Sequence, residues 1–212
     1  YGELERLKSM YEEALSVDGV VGLVIGTRPD CMPDSLLDYL EELNKRTFLL
    51  VEYGIESTDD EVLRRINRGH SFACSAHAVR RTAMRGIKTG GHIIIGLPGE
   101  AYTCGDPEER KKALDVMCDR LSALPLTTLK LHQLQLIRGT RMAHEYEQNP
   151  EDFKLYTADE YIDVVIDCVE RFRPDLILER FVSQSPKELL IAPDWGLKNH
   201  EFTDKVKKRM IQ

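Results

Sequence analysis

Short apolar runs alternate along this chain with amphipathic helical patterns, and that alternation is what most limits the folds open to it. Runs at residues 20–26, 48–54, 88–95, 128–134 and 176–181 have the length and composition of strands. Helix starts stand between them. Thr58 with Glu61 and Thr157 with Glu160 have capping-box spacing, and Asp106, Pro107 and Glu109 supply a cap, a first-turn proline and a third-position carboxylate. The helix from Asp106 is expected to bury Leu114, Met117, Leu121 and Leu124. The one from Thr157 is expected to bury Tyr161, Val165, Cys168 and Phe172, and to end at Pro174. Gly69 and Gly86 read as helix-ending residues, and an opening helix carries Leu4, Leu7, Tyr11, Ala14 and Leu15 on one face. Repeated units of this kind predict an α/β fold with a parallel sheet. At 212 residues, 42% of them apolar, the chain can bury one core, so 1–212 reads as a single domain. Residues 1–150 form its core β/α units, and 151–212 add C-terminal helices and a further strand.

The apolar runs fall far short of the roughly 20 residues needed to cross a bilayer, so no membrane partner is expected. Cys31, Cys74, Cys104, Cys118 and Cys168 are odd in number and widely spaced, which suits a reducing compartment and a cytoplasmic location. No pair has metal-ligand spacing. A formal charge of -7 disfavours non-specific nucleic-acid binding, and the cluster Lys205, Lys207, Lys208, Arg209 reads as a solvated tail.

Buried parallel strands should be almost continuously apolar, and these are not. One face carries Gly26 and Arg28, then Glu52, Gly54 and Glu56, then His92, then Lys130 and His132. The other carries Leu23, Ile25, Leu49, Val51, Ile93, Ile95, Leu129 and Leu131. Polar residues of one parity near the C-terminal ends of successive strands converge at the mouth of a β/α barrel, where such folds place their chemistry. Taken singly, each reads as well as a satisfied core polar group, Glu52 paired with Lys130 for example. Glycine-bearing turns follow the same strands at 26–30, 54–57, 96–100 and 138–140, and let backbone groups approach a ligand closely.

Three passages carry a family resemblance. They are Tyr53-Gly54-Ile55-Glu56-Ser57 with Val62-Leu63 and Asn67-Arg68-Gly69-His70; His92 through Gly99; and Leu129 through Thr140. A fourth, Ser185 through Trp195, lies near the C-terminus. In this order and spacing they resemble the radical S-adenosylmethionine (radical SAM) superfamily, in the branch holding the YhcC-like proteins and the Elongator catalytic subunit. The resemblance implies a partial parallel β/α (TIM-like) barrel of the radical SAM type, missing the first β/α units. It implies a 4Fe-4S cluster, held through CxxxCxxC in the full-length protein, and SAM, cleaved reductively to a 5′-deoxyadenosyl radical that acts on an unknown substrate. Transfer RNA is the candidate that the Elongator kinship suggests.

CxxxCxxC is absent here, and cysteines so widely scattered offer no local cradle for a cluster, so the chain alone is expected to be inactive and to hold no metal. The expected upstream sequence contains that motif. By resemblance Arg68 reaches SAM's carboxylate or ribose, Glu56 lies near the ribose, and backbone around Gly96 to Gly99 and around Leu136, Ile137 and Arg138 flanks the adenine. His92 reads equally as a ligand contact or a hydrogen-bonded core histidine. Two other readings stand beside this one. One is a non-catalytic RNA- or protein-binding module using Arg64, Arg65, Arg80, Arg81 and Arg85. The other is a metal enzyme with His92, His132 and Glu52 as ligands. The first strand, apolar and without charge, is expected to leave an open sheet edge that self-associates or is covered by the N-terminal helix.

Overall fold

The computed structural model describes residues 3–211. Five parallel strands form its sheet in the order β1 (Gly22–Thr27), β2 (Phe48–Glu56), β3 (Lys88–Ile95), β4 (Thr128–Gln133) and β6 (Ile177–Arg180). Sequential neighbours with helical crossovers are the arrangement the alternation predicts. The helices are α1 (Leu4–Leu15), α2 (Asp34–Asn44), α3 (Asp60–Arg65), α4 (Phe72–Met84), α5 (Pro107–Ser122), α6 (Arg141–Gln148), α7 (Ala158–Arg171) and α8 (Asn199–Met210). A two-residue strand, β5 (Leu136–Ile137), pairs antiparallel with β7 (Leu190–Ala192) and ties the turn after β4 to the C-terminal segment.

The two faces of the sheet divide as the residue alternation requires. Leu49, Val51, Ile93, Ile95, Leu129 and Leu131 point outward under the helices and are buried. Tyr53 joins them, and its hydroxyl meets Thr82 Oγ1 of α4 at 2.7 Å. From α5 the core receives Leu114, Met117 and Leu121, and from α7 Tyr161, Val165 and Cys168. Both helices open with complete capping boxes, Asp106 with Glu109 and Thr157 with Glu160.

The start of α3 differs from the sequence expectation. Its cap is Asp59, which accepts from Glu61 N at 2.7 Å, and Thr58 plays no such part. The turn is committed elsewhere: Ser57 Oγ accepts from Asp59 N and donates to Glu100, while the Thr58 carbonyl accepts from Arg120 at 2.7 Å. At the edge of the sheet, among the described residues, β1 pairs with β2 alone; α1 packs against β1 and α2, and Val24 on the inner face is 58% exposed.

Candidate functional site

The inner face collects the polar residues of common parity. Lys130 is ion-paired with Glu52 and lies 3.3 Å from Glu179. His92 Nε2 lies 3.5 Å from Glu52 Oε2, and the rings of His92 and His132 are 5.1 Å apart. Arg180 donates to His132 Nε2 at 3.0 Å. Gly90 makes room for this: a Cβ there would fall 2.7 Å from Thr128 Oγ1 and 3.1 Å from the Glu52 side chain that crosses it. Burial, with the charges of Arg180 and Lys130 and the neighbouring His92, pushes His132 down to about 4, so its imidazole is neutral at pH 7. Burial likewise lowers His92, against the pull of Glu52. A metal at His92, His132 and Glu52 would compete with the Lys130 ammonium already seated on Glu52. Among the described residues no three His, Cys, Asp or Glu side chains are grouped to hold an ion.

Toward the C-terminal strand ends, β2 departs from regular pairing. Between Gly54 and Glu56 its register with β3 shifts, and Glu56 takes a left-handed backbone at φ 70°. That conformation is costly for a residue with a side chain, and such strain gathers at functional sites. The bulge re-aims the Glu56 carboxylate at Arg68, whose Nη2 lies 3.4 Å from Glu56 Oε1 and donates to the Gly54 carbonyl at 2.7 Å. Asn67, also left-handed at φ 54°, ends the turn after α3 and delivers Arg68 to this spot. Burial raises the Glu56 carboxyl and the Arg68 charge opposes the rise.

Glu56 and Arg68 line a cavity of about 420 Å³, together with Leu97, His132, Gln135 and Ile137 among others. Ligand pockets run from roughly 300 to 1,000 Å³. Of the residues expected at a cofactor, the cavity therefore takes Glu56, Arg68 and Ile137. His92 lies deeper on the sheet face, against Glu52. Gly96 faces Tyr156 and Gly99 faces Arg65 and Val62, so the turn between them offers Leu97 to the cavity instead. Leu136 is fully buried in a small satellite core, and the exposed Arg138 uses its N–H on the Leu189 carbonyl at 2.7 Å. Gln133, Gln135, Ser183 and Ser185 complete one wall, and none of them was among the site residues expected from sequence. Gln133 holds Ser183 through both ends of its amide, at 2.8 and 3.0 Å.

The arginines of the alternative binding surface are largely committed. Arg64 pairs with Glu61, Arg65 with Asp152, Arg81 with Asp34, and Arg85 with Asp34, Asp38 and Glu41.

A parallel β/α sheet with a polar inner face and a cavity outside the carboxyl ends of its strands is the arrangement in which α/β folds hold their ligands. Comparison with known proteins narrows the class. Residues 1–104 match the family described as Radical SAM superfamily, and residues 126–212 match the Radical_SAM C-terminal domain. The chain is 35% identical over 210 residues to the uncharacterized protein YtqA of Bacillus subtilis, covering 99% of this chain and 62% of that protein. To protein YhcC of Escherichia coli K12 it is 34% identical over 202 residues, covering 92% and 60%. Among solved structures it resembles an archaeal Methanocaldococcus infernus Elp3, with a TM-score of 0.74 at 22% identity over 90% of this chain and 42% of that one. The chain belongs to the radical SAM superfamily. It spans about three-fifths of the length of YtqA and YhcC.

The family implies SAM and a 4Fe-4S cluster, and the residues present fit the two differently. Among the described residues Arg68 Nε is buried without a hydrogen-bond partner at the 420 Å³ cavity, next to a carboxylate able to accept from ribose hydroxyls, a donor set suited to SAM. The thiols do not fit a cluster there. Cys118 and Cys168 are buried within the α5 and α7 layer, and Cys31, Cys74 and Cys104 lie outside the cavity lining.

Proposed function

We propose that this chain is the SAM-holding part of a radical SAM enzyme, with SAM in the cavity at the ends of β2, β3 and β4. The observation that carries the reading is the Glu56–Arg68 pair over Gly54, a desolvated carboxylate and guanidinium positioned by two left-handed residues and sharing a cavity wall. In such enzymes the cluster and SAM together supply a 5′-deoxyadenosyl radical. The residues of this chain supply the rest: Arg68 takes the carboxylate or ribose, Glu56 accepts from the ribose, and Ile137 and Leu97 give apolar contact to the base. Gly96, Gly99, Leu136 and Arg138 hold the walls in shape. The relatives at greater distance include a tRNA uridine(34) acetyltransferase, which makes transfer RNA the substrate to test first.

Equilibrium dialysis of labelled SAM against the 212-residue chain tests the reading. Arg68→Met should weaken binding at least tenfold while Arg64→Met, on an exposed pair, leaves it unchanged. Equal affinity in the two variants would remove the assignment.

A further inference from the structure

We propose that Arg180, together with His132, forms an oxyanion subsite on the inner face of the sheet, and that the molecule it takes carries a phosphate or a carboxylate. Lys130 of β4 and Arg180 of β6 are register partners on adjacent strands. Like charges placed opposite one another oppose pairing unless something neutralises them. For Lys130, Glu52 and Glu179 do so. The partly buried Arg180 instead has an imidazole that only accepts one of its hydrogens, and among the described residues no carboxylate pairs with it. Among the described residues its buried Nε has no hydrogen-bond partner. A guanidinium N–H buried and left unpaired in this way is costly, and the planar donors of the group match a two-oxygen anion.

His132 adds to the subsite. Because Nε2 accepts from Arg180, the neutral ring carries its proton on Nδ1 and has a second donor to offer. The same side chain lines the cavity shared by Glu56 and Arg68, so an anion bound here lies beside that cavity. That the anion belongs to a second reactant, and not to SAM, rests on the SAM assignment above; that an anion binds does not.

The test uses the 212-residue chain without SAM. Inorganic phosphate and acetate are titrated separately while the imidazole resonances of His132 and His77 are followed by NMR. A saturable shift of His132 alone is expected with at least one of the two; phosphate alone marks a phosphoryl ligand, and acetate a carboxylate. Arg180→Gln should weaken it at least tenfold, and Arg180→Lys, which keeps the charge and loses the fork, should fall between and serves if the first variant does not fold. No shift of His132, or an equal shift in both variants, overturns the subsite. Displacement of the anion by SAM would assign it to the cofactor and overturn the second-reactant reading, while loss of SAM binding with the anion effect intact would fault only the SAM assignment.

Discussion

Arg68 lies across Gly54, its Nη2 bonded at 2.7 Å to the Gly54 carbonyl and occupying space that a side chain at 54 would need. A Cβ there would fall 2.6 Å from Arg68 Nη2 and 2.5 Å from Glu56 Oε1, so the pair and the glycine are one feature. Gly54→Ala is therefore expected to cost about 1–3 kcal/mol and to displace Arg68. Gly26, on the same face of β1, has nothing within 4 Å of its Cβ position, and Gly26→Ala should stay within about 0.5 kcal/mol of the parent. Urea midpoints of the two variants check this, and equal costs would contradict it.

Lys130 is the partner that lets Glu52 stay buried, with side-chain exposures of 16% and 10%. Removing one member of such a pair leaves the other charged and desolvated, so Lys130→Met should destabilise by about 3–5 kcal/mol. Adding Glu52→Leu should recover most of the loss. A double-mutant cycle showing additive costs would mean that the pair is not coupled.

Glu100 is 5% exposed and accepts from Ser57 Oγ, and burial pushes its carboxyl up to about 7 from an ordinary 4.5. The folded chain then holds a proton through a range in which the unfolded chain has released it. This contribution to stability is complete below the unfolded value, declines as pH rises between the two, and is lost above the folded one. Glu100→Gln should match the parent near pH 4.5 and exceed it above pH 7, by on the order of 3 kcal/mol. Denaturant unfolding at about pH 5 and about pH 8 measures the gap, and an equal gap at both would refute the assignment.

The cysteines predict a spectroscopic outcome. Cys118 and Cys168 are buried, Cys31 of a short 3-10 turn and Cys74 of α4 line one cavity, and Cys104 lies in an exposed loop, so among the described residues no three thiols gather at one point. Anaerobic reconstitution of this chain is expected to leave iron well below one cluster per chain, with little absorbance near 400 nm. Stoichiometric iron would show that the thiols can gather in a way this fold does not display.

Much of this was legible in the chain. β3 begins and ends where its apolar run does, at 88 and 95, and the two capping boxes on α5 and α7 stand where their spacing put them. Parity alone identified Glu52, His92, Lys130 and His132 as neighbours, because a strand has a fixed period of two. Arg180 escaped that count because the register between β4 and β6 slips after Leu129, and parity does not carry across a slip. Thr58 was misread as a cap because Glu100 and Arg120, 42 and 62 positions away, control its turn. The β5–β7 pair, two and three residues long, is too short to leave a pattern.

That small antiparallel pair has a dynamic consequence. Ile137 lines the cavity, and the backbone around it is closed by Leu189 through Ala192, some 50 positions later. Peptide hydrogen exchange at Leu136 to Arg138 should thus keep pace with exchange at Leu190 to Ala192, since neither set can open while the other stays shut. The far end of the chain acts as a clasp on the cavity, and proteolytic nicking between 186 and 189 would loosen the wall at Ile137, which the cut leaves untouched.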